Sequence, residues 1–280
     1  MTEKLVHISD LTPLDDQTHN IDQRLLENWL AFVNRREILS TVASHIAVSW
    51  QRCSAFLNPY DEPPAIQKID SSLLLAMQSA DFNLISVARP VMEDIYQYIE
   101  KTDTAVVLAN SACYILEILG DASMINMASQ NGFLNGAQIS EAKIGTNAFA
   151  LSVSERVPAL VTGPEHFLHR YHGVTAAASP VFDLSGRPLG TLGLVSTRNQ
   201  HNPYLLALSA AGAQSIASQM WNDLLLAEQN SQVAQLNTIL STVSEGVLVR
   251  NADGTLLHIN AAAEKIFNMP AHALVGRDCK

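Results

Sequence analysis

Basic residues are scarce in this sequence, and they are not clustered. The 280 residues include 17 Lys and Arg against 27 Asp and Glu, which gives a formal net charge of −10 at pH 7. A protein surface that binds a duplex groups its Lys and Arg side chains against the phosphates. The composition therefore predicts that this segment makes no direct contact with nucleic acid.

Cysteine is rare as well. Cys53, Cys113 and Cys279 are far apart and form no Cys-x-x-Cys pair, which argues against a disulfide framework or a zinc knuckle. The first residues lack the basic stretch and apolar run of a secretory signal. No apolar run reaches the roughly 20 residues that a membrane span needs. We expect a cytoplasmic protein that is neither exported nor inserted in a membrane.

Signatures of catalysis are also missing. The sequence has no Gly-x-Ser-x-Gly elbow, no Walker A loop and no carboxylate pair at a recognisable spacing. Each of these motifs holds reacting groups in a geometry that isolated Ser, His or Glu residues do not provide. We therefore predict no enzyme activity and no resident cofactor or metal.

Apolar residues, at 48% of the chain, are abundant enough to form a sizeable core. Apolar positions at helical spacing predict helices over 21–57 and 71–99, with Pro90 interrupting the second. From Thr104 the pattern changes to short β-branched runs that are typical of strands. Strands are predicted over 104–119, 157–161, 174–183 and 189–196, with helices over about 123–131 and 146–155. The expected fold class is α+β, an antiparallel sheet flanked by helices.

A long helical stripe follows, over residues 203–243. It is longer than a typical globular helix, so it favours a coiled-coil-like connector or a dimer seam. A terminal helix packed on its own domain is the alternative. After it, two strand-like runs flank Asp253-Gly254, which is a strong hairpin signal.

Four polar residues are candidates for ligand binding. Glu141 precedes Gly145-Thr146-Asn147, where Thr146 or Asn147 can cap the next helix, and a helix N-terminus beside a carboxylate can hold the polar end of a ligand. Glu165 and His166 open a segment that also contains His169 and His172. A metal site there is a possible alternative, but the spacing is not that of a known closed zinc site. The ligand candidates are Glu141, Asn147, Glu165 and His166.

The same motifs carry a family resemblance. The segment 136–183 combines Glu141, Gly145-Thr146-Asn147-Ala148, Glu165-His166-Phe167 and Ser179-Pro180-Val181. It resembles the GAF sensor domain of acetoin- and dihydroxyacetone-type activators of sigma-54 promoters. Ser49-Trp50-x-Arg52-Cys53 matches an element in the N-terminal helices of that family. Residues 245–267 resemble the opening of a PAS domain, whose full fold needs about twice the length present here.

The resemblance implies a domain organisation. We expect an N-terminal helical region (1–85), a GAF sensor domain (86–202), a signalling helix (203–237) and an incomplete PAS domain (238–280). In the family, an ATPase module that contacts sigma-54 polymerase and a DNA-binding helix-turn-helix follow these parts.

The resemblance also implies a function. The chain is expected to be the signal-input region of a bacterial transcriptional regulator, and to form a homodimer. Its partner would be a small-molecule effector or a metabolic enzyme subunit. Two alternatives stay open: a protein-docking module with an empty pocket, and a sensor that holds a metal or haem through the histidines near 166–172.

Overall fold

A computed structural model describes residues 15–61, 70–197 and 204–277. By its internal contacts the chain divides into two compact units, Met1–Trp221 and Asn222–Lys280. None of the described helices is both long enough and apolar enough to cross a membrane.

The first unit is built on a five-stranded antiparallel sheet. Its strands are paired in the order β2-β1-β5-β4-β3, and each neighbouring pair is antiparallel. They are β1 (Thr104–Asn110), β2 (Ile115–Leu119), β3 (Ala159–Thr162), β4 (Val174–Phe182) and β5 (Pro188–Thr197). The predicted strands and the α+β class are confirmed.

Helices cover both faces of this sheet. In chain order they are α1 (Asp15–Arg35), α2 (Ser44–Cys53), α3 (Ser71–Ala80), α4 (Phe82–Ile99), α5 (Ala122–Gln130), α6 (Glu141–Ile144), α7 (Ala148–Glu155) and α8 (Leu205–Thr242). Because side chains alternate along a strand, Val106 and Leu108 of β1 pack in one core with α4 and the start of α8. Ala105 and Val107 face the opposite core, with α1, α2, α5 and α7.

Two helix boundaries differ from the sequence prediction. The stretch 21–57 is two helices, because α1 ends at Arg35 and Arg36 takes a left-handed φ of 58°. The stretch 71–99 is also divided, but at Asp81 and not at Pro90, which lies inside α4. Proline removes one helical hydrogen bond. The buried neighbours Ala88, Val91 and Met92 anchor α4 to the sheet on both sides of that gap.

The second unit contains the predicted hairpin. Strands β6 (Leu248–Arg250) and β7 (Leu256–Ile259) are antiparallel and are followed by α9 (Ala261–Phe267) and α10 (Ala271–Leu274). Leu256, Ile259 and Ala263 form a small core. Asn260 caps α9 by accepting the N–H of Ala263, and its amide donates to the carbonyl of Leu240 at the end of α8.

Candidate functional site

Glu141 is bound by side chains of α2, in the N-terminal part of the chain. Its two carboxylate oxygens accept bonds from Nε and Nη2 of Arg52, each at 2.9 Å. Ser49 Oγ donates to the same carboxylate at 2.5 Å. The hydrogen bond to Glu141 is the main reason why the pKa of Arg52 is raised. The two-pronged ion pair joins α2 to α6.

A small buried cluster continues from this ion pair. Ser49 Oγ lies 2.7 Å from the hydroxyl of Thr146, and Cys53 Sγ lies 3.7 Å from the same hydroxyl. Cys53 is fully buried, and this burial raises the pKa of its thiol. A neutral, buried thiol is not a nucleophile. Cys53 is therefore a small core residue.

Asn147 is the cap of α7. Its side-chain oxygen accepts the N–H of Ala150 at 2.9 Å, while its amide donates to the carbonyls of Ile139 and Gly145. Gly145 supplies a φ of 72°, which side chains other than hydrogen rarely allow. These three bonds use the amide of Asn147 to close the loop before α7.

Glu165 ends a 3-10 turn, Gly163–Glu165, after β3, and His166 follows it directly. The Glu165 carboxylate accepts the N–H of Thr162 at 2.8 Å, and burial raises its pKa. The imidazole of His166 is 3% exposed, and Nδ1 lies 3.0 Å from the carbonyl of Gly163. Burial lowers the pKa of His166 to about 4. The neutral ring therefore donates its Nδ1–H to that carbonyl.

The other two histidines of this segment surround Trp29 of α1. The ring centroids of His169 and His172 lie 5.8 and 4.6 Å from that of Trp29. The segment is not one helix, so His166, His169 and His172 do not share a helix face. Within residues 15–61, 70–197 and 204–277, no three His, Cys, Asp or Glu side chains are grouped as metal ligands would be.

Two tryptophans join the helices to the loop after β3. Trp50 Nε1 donates to the carbonyl of Glu165 at 2.8 Å, and Trp29 Nε1 donates to the carbonyl of Phe167 at 2.9 Å. Both rings are 1% exposed. Together with the ion pair, these contacts define what we call the anchor surface, whose members are Trp29, Ser49, Trp50, Arg52, Glu141, Thr146, Glu165 and Phe167.

The anchor surface explains where the four predicted residues lie. Glu141 and Glu165 contribute directly to it, whereas Asn147 and His166 shape the loops that carry those contacts. The sequence shows the Ser-Trp-x-Arg-Cys element and both loop motifs, but not the contacts between them. The polar residues of α2 could have suggested such a contact, because Ser49 and Arg52 lie one helical turn apart and share a face.

The ion pair can be tested by a double-mutant cycle with Arg52→Leu and Glu141→Gln. Because the Arg52 side chain is 39% exposed, screening by solvent limits the expected coupling to about 1 kcal/mol of unfolding free energy. Urea unfolding of the four proteins measures it. The matched control is the pair Arg187 and Asp183 in an exposed turn, where Arg187 is 81% exposed, with coupling below about 0.5 kcal/mol. An equal coupling energy in the two cycles would contradict a structural role for the ion pair of Arg52 and Glu141.

The fold and site define a class of protein: an α+β domain with its N-terminal helices anchored beside the sheet and a long helix at its end. Residues 20–220 match the family described as the MimR N-terminal domain, and the chain belongs to that family. Residues 234–279 match the PAS fold. The predicted combination of a sensor region with a PAS region is confirmed.

The relatives are operon regulators. The chain is 27% identical to the glycerol metabolism operon regulatory protein of Citrobacter freundii, covering 87% of this chain and 38% of that protein. It is 28% identical to the PTS-dependent dihydroxyacetone kinase operon regulatory protein of Escherichia coli K12, covering 83% and 36%. It is 26% identical to the acetoin dehydrogenase operon activator AcoR of Bacillus subtilis, covering 66% and 31%. The chain thus spans about a third of the length of these relatives.

A solved structure has the same fold. The crystal structure of the E. coli DhaR(N)–DhaL complex matches with a TM-score of 0.78 and 27% identity, covering 85% of this chain and 80% of that one. The resemblance to dihydroxyacetone- and acetoin-type activators is therefore confirmed, both by sequence and by fold.

Proposed function

We propose that this chain is the signal-input region of a bacterial operon regulator. The sensor unit receives a partner protein or a small metabolite, and α8 relays the change. Two findings support this: the relatives are operon regulators, and the N-terminal region of one relative was crystallised with the protein DhaL. Catalysis is not part of the role. Contacts with DNA, ATP and sigma-54 polymerase would belong to other modules, and the location is the cytoplasm, where operons are transcribed.

The packing of α8 is the main observation that supports this proposal. Its first half is buried against the sheet and α4, through Leu205, Ala213, Ile216 and Ala217. At Gly212 an added Cβ would lie 2.5 Å from a methyl of Leu192 and 2.7 Å from a methyl of Ile95. Interiors packed this closely transmit small displacements. A shift of β5 or α4 therefore displaces α8.

The second half of α8 carries an apolar stripe that the chain itself leaves exposed. Leu226, Val233 and Leu236 are 57%, 56% and 59% exposed. They are seven and three residues apart, and Leu240 and Val243 continue the stripe at the spacing that is typical of a coiled coil. Glu228 is the one charged residue between positions 224 and 243. Two copies would bring no like charges together along this stripe, so we propose a homodimer through it.

The dimer is tested by Leu236→Glu. A charge in the stripe must be desolvated on association, so we expect the dissociation constant to rise at least about tenfold, or about 1.4 kcal/mol, in sedimentation equilibrium. Gln235→Glu is the control, because it adds the same charge on the adjacent, exposed face of the helix. If both variants and the unaltered chain had the same dissociation constant, a dimer interface along this stripe would be contradicted.

The relay is tested by transcription. In a regulator that carries the whole chain ahead of its effector modules, Leu236→Glu should abolish the response of the target promoter to its inducing condition. Gln235→Glu should leave the response intact. A normal response with Leu236→Glu would contradict the proposed path through α8.

The proposed organisation assigns 1–85 to N-terminal helices, 86–202 to the GAF sensor, 203–237 to the signalling helix and 238–280 to the partial PAS domain. Direct ligand binding by Glu141, Asn147, Glu165 and His166 stays a prediction. The contacts of Glu141 and Glu165 support a second role, which is to keep α2 attached to the sensor. Asn147 and His166 hold the loops that carry those contacts.

A further inference from the structure

One side chain, that of Asn260, joins the end of α8 to the hairpin and to α9. Asn260 is 3% exposed and lies between β7 and the first turn of α9. Its Oδ1 accepts the N–H of Ala263 and the N–H of Val247, each at 2.9 Å. The first bond caps α9, and the second holds the residue that leads into β6.

The amide nitrogen of Asn260 is bonded to the end of α8. Nδ2 lies 2.9 Å from the carbonyl oxygen of Leu240, in the last turn of the helix, and 2.9 Å from that of Glu245 in the following loop. The carbonyl oxygen of Val243 lies 3.4 Å away. The last carbonyls of a helix have no partner within the helix. Asn260 therefore caps the end of α8 and the start of α9 at the same time.

Donors and acceptors are unequal in number at this point. An amide nitrogen carries two hydrogens, whereas three carbonyl oxygens lie within 3.4 Å of it. A small rotation of the last turn of α8 can therefore exchange the carbonyl of Leu240 for that of Val243. Because the amide keeps two acceptors throughout, the exchange leaves no buried donor unpaired.

Close packing holds the loop after α8 against α9. At Gly246 an added Cβ would lie 2.9 Å from Cδ1 of Ile266 and 3.3 Å from Cα of Ala263. The backbone N–H of Asn260 also donates to the carbonyl of Val247 at 3.1 Å. The loop, the start of β6 and α9 are thus fixed to one another, and the adjustable bonds are those to α8.

We propose that Asn260 is the positioning residue that couples α8 to the hairpin and α9, by exchanging its amide hydrogen bonds among the carbonyls at the end of α8. Leu240 and Val243, two of these carbonyl donors' acceptors, also end the apolar stripe of α8. A change in how two copies of the stripe pack would therefore move the carbonyls that Asn260 contacts. As a step in signalling the inference rests on the proposed function, whereas the attachment itself can be measured without a signal.

Two substitutions remove the bonds to α8. Asn260→Asp eliminates both amide hydrogens but keeps an oxygen that can accept from Ala263 and Val247. Asn260→Ser adds no charge and can still cap α9, but its side chain is too short to keep the bond to Leu240. Each lost hydrogen bond should favour the detached state of α8 by roughly fivefold to tenfold.

Detachment is measured as the distance between two spin labels, by double electron–electron resonance on the 280-residue chain. The labels are attached through Ser231→Cys on α8 and Lys265→Cys on α9, both at exposed positions. Cys279→Ser accompanies them, and Cys53 and Cys113 are buried. An excess of unlabelled chain ensures that the two labels of a measured pair belong to one molecule.

Both Asn260 variants should broaden the distance distribution of the unaltered chain. The matched control is Asn251→Asp, which makes the same chemical change in the hairpin turn and keeps the bond that Oδ1 accepts from the N–H of Thr255. This control should leave the distribution unchanged. Amide hydrogen exchange in β6, β7 and α9 should stay as in the unaltered chain for Asn260→Ser, which a purely structural role would not allow.

The promoter response completes the test. In a regulator that carries the whole chain, Asn260→Ser should abolish induction, whereas Asn251→Asp should not. The proposal is overturned if the distance distribution does not broaden, if both Asn260 variants expose the amides of the hairpin to exchange, or if induction with Asn260→Ser is normal. A normal response with Leu236→Glu would instead contradict the α8 relay, and the distance measurement does not depend on that relay.

Discussion

Trp50→Ala is expected to destabilise the first unit by about 3–5 kcal/mol, the usual cost of removing a large buried aromatic side chain. The indole is 1% exposed, and its ring centroid lies 5.3 Å from that of Phe32. The substitution also leaves the carbonyl of Glu165 without the donor that now lies at 2.8 Å. Urea unfolding followed by far-ultraviolet circular dichroism measures the change, since tryptophan fluorescence is itself altered.

Two variants separate the contributions to this loss. Trp50→Phe keeps most of the apolar ring but removes the donor, and should cost about 1–2 kcal/mol in addition to the lost ring volume. Val48→Ala, at an exposed position of the same helix, should stay within about 0.5 kcal/mol of the unaltered protein. A loss below about 1.5 kcal/mol for Trp50→Ala would mean that α2 is not attached as described.

His166 should make the stability of the first unit depend on pH between about 6.5 and 4. In the unfolded chain the imidazole binds a proton below about pH 6.5, whereas burial holds its pKa at about 4 in the folded protein. In this window the unfolded state binds more protons, so the free energy of unfolding falls as the pH falls. The full loss is about 3 kcal/mol and levels off below the folded pKa.

The measurement compares the protein with His166→Gln at several pH values. Glutamine can still donate to the carbonyl of Gly163 but cannot take up a proton, so the variant should be less stable at pH 7 and lose less stability on acidification. Both proteins share every carboxylate, so the difference between the two curves isolates the imidazole. Parallel curves would show that His166 is not held neutral.

Much of the secondary structure could be predicted from local patterns. The runs 174–183 and 189–196 coincide with β4 and β5 within two residues at each end, because β-branched and small apolar residues bounded by turn residues favour strands. The positions at which the helical stretches are interrupted were harder to predict from the sequence. Arg36 takes a left-handed φ without being glycine, and α4 continues through Pro90 because its packing on the sheet compensates for the lost bond.

The residues of the candidate site could be predicted from the sequence, but the contacts between them could not. The motifs around Glu141 and Glu165 stand out in the sequence, yet their partners Arg52 and Trp50 are 89 and 115 residues away. Spacing along a chain carries no information about such distances.

The sequence by itself determined the class of this protein: a folded, acidic α+β sensory chain with a long helix and a PAS region, because periodicity and turn chemistry are local properties. Only the tertiary structure decided what the polar motifs around Glu141 and Glu165 touch, and which half of α8 is buried. These are properties of contacts between distant segments, and they exist only once the sheet brings those segments together.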